Sequence, residues 1–331
     1  MMKHTNIPIF IPHFGCRNDC VFCNQRCVTE EDKPPSIEEV KRIIEEHISH
    51  SKNREAEAAF FGGSFTGIEV NMQEEYLKAA YDYVKSGKIR GIRVSTRPDY
   101  INDDILRMLK KYGVINIELG VQSMCDDVLK ASLRGHTSAD SRAAAEKIKK
   151  HGFGLGLQMM IGLPEDSREK SLCTAGELVS MGADFVRIYP CLVLRGTGLW
   201  KMYERGEYKP LTLSEAVDTA AQAVLIFEEA GVPVIRIGLQ QSEGLSGGVA
   251  AGPYHPSLGE MVISRVLRNW SMPSVVSSCE YAIGFRSEVW GHRSPAISSP
   301  GTRNSTASRP CGSPVPELLL MTTHGWPDKS A

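Results

Sequence analysis

An α/β fold built on a parallel sheet is what this sequence predicts, and three observations carry the prediction. Apolar or β-branched runs alternate with helical periodicity from the N-terminus to about residue 240. Glycines stand where helices should end, at Gly113, Gly152 and Gly231, as left-handed C-terminal caps require. Ser36 precedes Glu39 by three residues at the start of the first helical stretch, the spacing of a capping box. Alternation of this kind joins parallel strands by right-handed helical crossovers. Spacing alone suits a doubly wound sheet and a barrel or partial barrel equally.

The strands are expected at Ile7–Phe14, Ala56–Phe61, Ile89–Ser95, Ile115–Val121, Phe153–Ile161, Phe185–Pro190 and Val232–Ile237. Between them, "SIEEVKRIIEEHI" places Ile37, Val40, Ile43 and Ile44 on one helical face. "MQEEYLKAAYDYVK", "NDDILRMLKKYG", "SADSRAAAEKIKKHG" and "SEAVDTAAQAVLIFEEAG" repeat the pattern. Residues 1–240 form the core on this reading, and 241–269, with "QQSEGLSGGVAAGPYHPSLGE", a Gly-rich connection and short extension. Residues 270–331 are rich in Ser, Pro and Arg and lack helical periodicity. They read as a disordered tail or as a stretch in a shifted frame from near Asn269. Three of the four Trp fall there, and disordered tails are poor in Trp.

Formal net charge is −1 over 331 residues, so no global field points to nucleic acid or membrane. No run approaches the roughly 20 apolar residues of a spanning helix. The N-terminal "IPIFIPHF" is broken by Pro8, Pro12 and His13 with no small-residue cleavage site after it, and reads as a strand, not a leader. Nine cysteines without such a leader argue for metal binding in a reducing, cytoplasmic setting and against a disulfide scaffold.

"FGCRNDCVFCNQ" concentrates that question, with Cys16, Cys20 and Cys23 spaced C-x3-C-x2-C and Cys27 close behind. Structural zinc sites take two short pairs on separate segments, whereas four ligands here would clamp one loop. An iron–sulfur cluster suits a single loop, and three thiolates leave one iron open for a small molecule. The loop follows the first strand, on the edge where ligands meet α/β sheets. The second strand ends in "FFGGSFTG". Gly62 and Gly63 serve a tight turn there, and the same bare backbone lets a ligand's charged end approach.

With Phe22 before its last cysteine, the loop resembles the signature of the radical S-adenosylmethionine enzymes. "STRPDY", "IELGVQS", "LRGHT" and "QMMIGLPED" follow in the family's order. "RIYPCLVLRGTGLWKMYERGEYKPLT" and "YHPSLGE" are similar to the Elongator catalytic branch and its bacterial relatives, over about residues 5–265. Oxygen-independent coproporphyrinogen oxidase is a more distant likeness. The resemblance implies a partial (β/α)6-type TIM barrel with parallel strands and an irregular C-terminal segment. It implies a 4Fe–4S cluster on Cys16, Cys20 and Cys23 that reductively cleaves S-adenosylmethionine to a 5′-deoxyadenosyl radical, which abstracts hydrogen from the substrate. An electron donor such as flavodoxin or ferredoxin goes with that chemistry.

Carried over by position, Phe22, Gly62, Gly63, Ser64, Ser95, Gln122, Arg134 and Gln158 would contact S-adenosylmethionine. Ser95 stands where the Elongator and coproporphyrinogen branches have a glutamate, and Gln158 where the latter has an aspartate, so both would bind without charge. Read without the resemblance, Gln122 and Arg134 suit a barrel polar layer or a surface ion pair. His136 and His255 read as structural, Cys27, Cys125, Cys173 and Cys191 as ordinary thiols, and Asp166 as the start of a helix. Tyr189 and Arg195 are expected at the barrel mouth, and no side chain is assigned to catalysis.

Elongator's subunit adds an acetyl-coenzyme A domain and acts on wobble uridine of tRNA. The phosphate-cradling loop of such a domain is not matched beyond residue 240, where "QSEGLS" and "RPCGSP" fail at their last positions. The expectation is therefore a radical enzyme of unknown substrate. The alternatives are tRNA wobble-uridine modification with a partner supplying the missing parts, by analogy alone, and an inactive cluster-bearing scaffold.

Overall fold

Period-two alternation along the strands separates a helix-covered apolar core from a polar inner face. The computed structural model describes residues 6–11, 16, 20–24, 33–50, 55–239 and 243–270. The expected extension of the first strand to Phe14, Cys27 and the segment after Trp270 lie outside those residues.

β1 (Asn6–Ile11) leads to α1 (Ile37–His50), β2 (Glu57–Gly62), α2 (Val70–Lys85), β3 (Gly91–Thr96), α3 (Asp103–Lys111) and β4 (Val114–Gln122). Next come α4 (Asp126–Ala131), α5 (Ser138–Lys150), β5 (Gly154–Ile161), α6 (Arg168–Ser180) and β6 (Phe185–Pro190). The chain continues through β7 (Val193–Leu194), α7 (Gly198–Glu204), α8 (Leu213–Glu229) and β8 (Val234–Ile237). It ends in α9 (Glu243–Gly248), β9 (Val249–Ala251) and α10 (Leu258–Trp270). Seven strands form one sheet in the order β1-β2-β3-β4-β5-β6-β8. Every pairing is parallel. The first and last strands do not close on each other, which makes this a partial TIM barrel, as the sequence implies. β7 and β9 pair antiparallel beside it.

The local signals act as expected. Ser36 N–H donates to Glu39 Oε2 at 2.7 Å while Glu39 N–H donates to Ser36 Oγ at 3.2 Å, closing the box that starts α1. Gly113, Gly152 and Gly231 take φ of +73°, +73° and +69°. Ile7, Ile9, Phe60, Ile92, Val94, Leu119 and Leu157 face the helices, packed with Val40, Leu77, Leu109, Ile148, Leu178 and Phe227. Five helices, α4, α6, α7, α9 and α10, go beyond the sequence reading, and two of them show why. The buried face of α6 is Ser171, Thr174, Ala175 and Leu178, too small and polar to give an apolar period. α10 occupies the stretch read as a connection; Leu258, Val262 and Val266 join the core at four-residue spacing, just after a run dense in Gly and Pro.

The inner face is ionic. Arg93 Nε and Nη1 donate to Glu57 Oε2 and Glu118 Oε1, each at 2.8 Å. Arg187 Nη2 donates to the same Glu118 Oε1 at 3.1 Å and Nη1 to Tyr189 Oη at 3.2 Å. Asn116 Nδ2 donates to both Glu57 oxygens at 2.9 Å. The guanidinium of Arg93 stacks 4.5 Å over Phe185, and that of Arg187 lies 5.1 Å over Phe61. Burial opposes the Arg187 charge, and Glu118 with Tyr189 more than offsets it, so its pKa is raised. β5 makes room by having no side chains there: a Cβ on Gly156 would lie 2.3 Å from Phe185 and 2.8 Å from Glu118, and one on Gly154 2.1 Å from Asn116.

Removing one partner of a buried ion pair typically costs about 3–5 kcal/mol, because the other charge is left uncompensated. Glu118→Gln strips Arg187 of its carboxylate, so a loss of unfolding free energy in that range is expected in urea titrations. A loss under about 1 kcal/mol would show that water, and not Glu118, satisfies Arg187.

Candidate cluster and cofactor site

The cysteine loop follows β1 and is fastened on both sides at Val21. Its N–H donates to Ser132 O at 3.2 Å, and its carbonyl accepts from Leu199 N–H, at the start of α7, at 2.7 Å. Cys23 N–H donates to Cys20 O at 3.0 Å, turning the chain between the two thiols. Asn24 Nδ2 donates to Arg195 O at 3.1 Å. Val21 and Phe22 pack with Val128, Leu163, Val193 and Leu199, so apolar contact also seats the loop.

The thiols stand in different surroundings. Cys20 is buried, and its Sγ accepts from Arg134 Nη1 at 3.3 Å and Arg97 Nη1 at 3.8 Å. Arg97 is almost wholly enclosed, donating from Nε and Nη2 to Asp99 at 2.9 and 3.1 Å and from Nη2 to Arg134 O. Burial opposes the Arg97 charge; Asp99 and Cys20 hold it, and its pKa is raised. Cys16 Sγ donates to Ser64 Oγ at 3.5 Å, and Cys23 is exposed. Among the described residues, no three His, Cys, Asp or Glu side chains converge as a ready metal site.

The glycine turn is the tight turn that the sequence predicts. Gly62 has φ +102°, and a Cβ there would meet Ile11 O at 3.0 Å; Gly63 N–H donates to that same oxygen at 2.7 Å. Gly62 is therefore demanded by the turn, which carries Ser64 into a buried position above β2. On β4 a bulge places Gln122 at φ +70°, and its Oε1 accepts from Gln158 Nε2 at 3.1 Å. Gly120 keeps the space between them clear: a Cβ would lie 2.8 Å from Gln122 Nε2 and 2.9 Å from Arg134 Nη2. Arg134 Nη2 donates to Gly120 O at 2.6 Å. Ser95 is half-buried, in register beside Glu118 on the inner face. The structure thus gathers Gly62, Gly63, Ser64, Ser95, Gln122, Arg134 and Gln158 at the carboxyl end of the sheet, whereas Phe22 packs into the apolar cluster that seats the loop.

Tyr189 is half-buried and held by Arg187, while Arg195 is exposed. Asp166 Oδ2 accepts from Gly162 N–H at 2.8 Å and Ser171 Oγ at 2.7 Å, a turn-and-helix role. Burial pushes the Cys191 thiol up to about 12, an inert thiol. His136 is structural, its Nε2 lying 3.3 Å from Val121 O. Sequence reasoning missed Arg97, although it quoted "STRPDY"; an arginine at the carboxyl end of an inner strand was the available signal. Arg93, Glu118 and Arg187 were missed too, their signal being charge at period-two positions of otherwise apolar strands.

The donor chemistry of this site fits a 4Fe–4S cluster and S-adenosylmethionine. Two guanidinium groups aimed at one sulfur suit a thiolate ligand of an anionic cluster. The side-chain-free turn at Gly62 and Gly63, next to the Cys16–Ser64 contact, leaves main chain open to a ligand's amino-acid end.

The family model described as Radical SAM superfamily matches residues 10–172, and that described as Radical_SAM C-terminal domain matches residues 183–268. A tRNA uridine(34) acetyltransferase of Methanocaldococcus infernus is 29% identical over 198 residues, 54% of this chain and 37% of the relative. Human Elongator complex protein 3 is 27% identical over 250 residues, 70% of this chain and 44% of the relative. The chain spans less than half the length of these curated relatives. Among solved structures, M. infernus Elp3 with an N-terminal deletion superposes with a TM-score of 0.65 at 24% identity, covering 82% of this chain and 64% of that one. Coproporphyrinogen III oxidase of Escherichia coli gives 0.50 at 15%, covering 69% and 52%. Both support the fold.

Burial, then the charges of Arg134 and Arg97, push His136 from 6.5 down to about 4. In the unfolded chain His136 takes up a proton near the ordinary value, so between pH ~6.5 and ~4 the unfolded state binds more protons. Stability present above that window is lost as pH falls through it. His136→Gln should flatten the decline, recovering up to about 3 kcal/mol at its acid end. Urea titrations at pH 7, 5.5 and 4.5 read the effect, and an unaltered pH slope would mean that His136 stays solvated.

Proposed function

The chain belongs to the radical S-adenosylmethionine superfamily, and on that premise we propose that it performs the radical step of wobble-uridine modification in tRNA. The observation that carries this reading is the likeness to tRNA uridine(34) acetyltransferases and Elongator proteins, over the stretch that holds the site. Less than half of those relatives is spanned, so the proposal covers the radical step alone.

On this reading Cys16, Cys20 and Cys23 hold a 4Fe–4S cluster, with Arg97 and Arg134 balancing the negative charge near Cys20. Bound there with S-adenosylmethionine, the cluster supplies one-electron cleavage of the sulfonium and hydrogen-atom abstraction, using an electron from a donor such as flavodoxin or ferredoxin. Main chain at Gly62 and Gly63, with Ser64, receives the amino-acid end of S-adenosylmethionine. Ser95, Gln122 and Gln158 offer uncharged hydrogen bonds to its remaining polar groups, and Phe22 borders it. Tyr189, steadied by Arg187, faces the substrate side.

A second reading, a radical enzyme acting on another substrate, draws on Ser95, neutral where both resembled branches have a glutamate, and on Gln158, neutral where the coproporphyrinogen branch has an aspartate. Anaerobically reconstituted protein separates the two. With a one-electron donor it should form 5′-deoxyadenosine faster with tRNA present, and deuterium at the wobble uridine or its sugar should appear in the product. Cleavage indifferent to tRNA would leave the superfamily intact and overturn the tRNA assignment.

The ligand assignment has its own test. Cys16→Ala, Cys20→Ala and Cys23→Ala should each lose most bound iron and all cleavage, because three ligands leave no spare. Cys27→Ala should keep both. Zinc in the wild type, with equal loss in all four variants, would make the loop a zinc knuckle.

A further inference from the structure

The inner face carries one guanidinium more than its carboxylates can pair. Glu57 and Glu118 are shared by Arg93 and Arg187, two charges against two. Arg236, on β8, stands in register with Arg187 on β6. Neighbouring residues of parallel strands lie about 4.8 Å apart with side chains on the same face, so Arg236 joins the inner face beside a second cation. Like charges side by side destabilise a sheet unless something compensates them. Among the described residues no carboxylate pairs with Arg236. Its hydrogen bond is from Nε to Gly238 O at 3.2 Å, which orients the side chain and leaves Nη1 and Nη2 for a further acceptor.

Position adds the second argument. Register places Gly120, Gln158, Arg187 and Arg236 in one row across β4, β5, β6 and β8. That row holds Gln158, one of the proposed S-adenosylmethionine contacts, and the next inner residue of β6 toward the carboxyl end is Tyr189. β8 is the last strand of the open sheet, and Arg236 is only half-buried. A substrate too large to enter a closed barrel can reach this row from the seam.

We propose that Arg236 binds a phosphate of the nucleotide substrate at the open seam of the barrel, holding the uridine across the row from Gln158. A guanidinium with two free terminal nitrogens suits the bidentate geometry of a phosphate, and the anion supplies the charge that Glu57 and Glu118 do not. The inference rests on the tRNA reading for its ligand and on the register and pairing of Arg236 for its place.

The test uses the full chain and two probes, a 17-nucleotide RNA stem-loop with uridine at the first anticodon position, and uridine 5′-monophosphate. Binding is measured from 50 to 200 mM salt. Arg236→Gln should weaken stem-loop binding about tenfold, as loss of a charged hydrogen bond does. It should also lower the slope of log K against log salt by about 0.7–0.9, one phosphate contact. Arg236→Lys, which keeps the charge, should restore the slope if not the full affinity. A purely structural arginine would shift the melting temperature without touching the slope. Stem-loop binding with the wild-type slope in Arg236→Gln overturns the inference and leaves the tRNA reading standing. Binding of the monophosphate but not the stem-loop, lost in Arg236→Gln, supports the phosphate contact and overturns the tRNA reading. If the wild type binds neither probe, the inference fails.

Discussion

Four charges, the buried Glu57, Arg93 and Glu118 and the partly buried Arg187, hold the inner face of the sheet, and the arrangement of everything above them follows from their pairing. Each arginine links two carboxylates or a carboxylate and Tyr189 across strands that are distant in sequence. Since side chains alternate with a period of two, a one-residue slip of any strand would drive its charged group into the apolar core. A buried ion pair is weak evidence of net stability, but it penalises the wrong register heavily. The same network dictates glycine at 154 and 156, where any side chain would collide with Asn116, Phe185 or Glu118.

A second tier of guanidinium groups stands at the carboxyl ends of the strands and reaches sulfur. Arg134 crosses to Gly120 O and Cys20, and Arg97 reaches the same thiol while its remaining nitrogens are held by Asp99 and the Arg134 carbonyl. Both side chains are buried, and both are braced by groups outside the cysteine loop. The positive charge beside Cys20 is therefore part of the barrel rim and does not depend on the loop's own conformation.

The seven parallel strands were visible in the sequence because their apolar runs are long and their terminal glycines are unambiguous. The half-barrel closure came from resemblance, since alternation alone also describes a doubly wound sheet. α6 escaped because its buried face is Ser171, Thr174 and Ala175 beside Leu178. α10 escaped because Gly252, Pro253 and Pro256 precede it and mask its narrow Leu258–Val262–Val266 stripe. For the site, local motifs marked the residues that need special backbone or spacing, such as Gly62, Gly63 and the cysteines. The partners that act through long-range contact, Arg97 on Cys20 and Glu118 on Arg187, show locally only as charges on the strands or at their ends, and nothing local says with whom they pair. Their pairing exists only once β3, β4 and β6 are side by side.

The cysteine loop shows what such partners leave undone. Val21 is clamped on both sides by backbone hydrogen bonds, yet Cys16 and Cys20 engage different neighbours, Ser64 and the arginine pair, and Cys23 faces solvent. Thiolate ligation requires loss of the thiol proton, and Cys16 spends that proton on Ser64. On the proposed assignment, ligation by Cys16 removes the donor from this contact, and the Ser64 oxygen, on the glycine turn proposed to receive the amino-acid end of S-adenosylmethionine, no longer accepts from it. The hydrogen bond between Cys16 and Ser64 thus joins the cysteine loop to the glycine turn of β2.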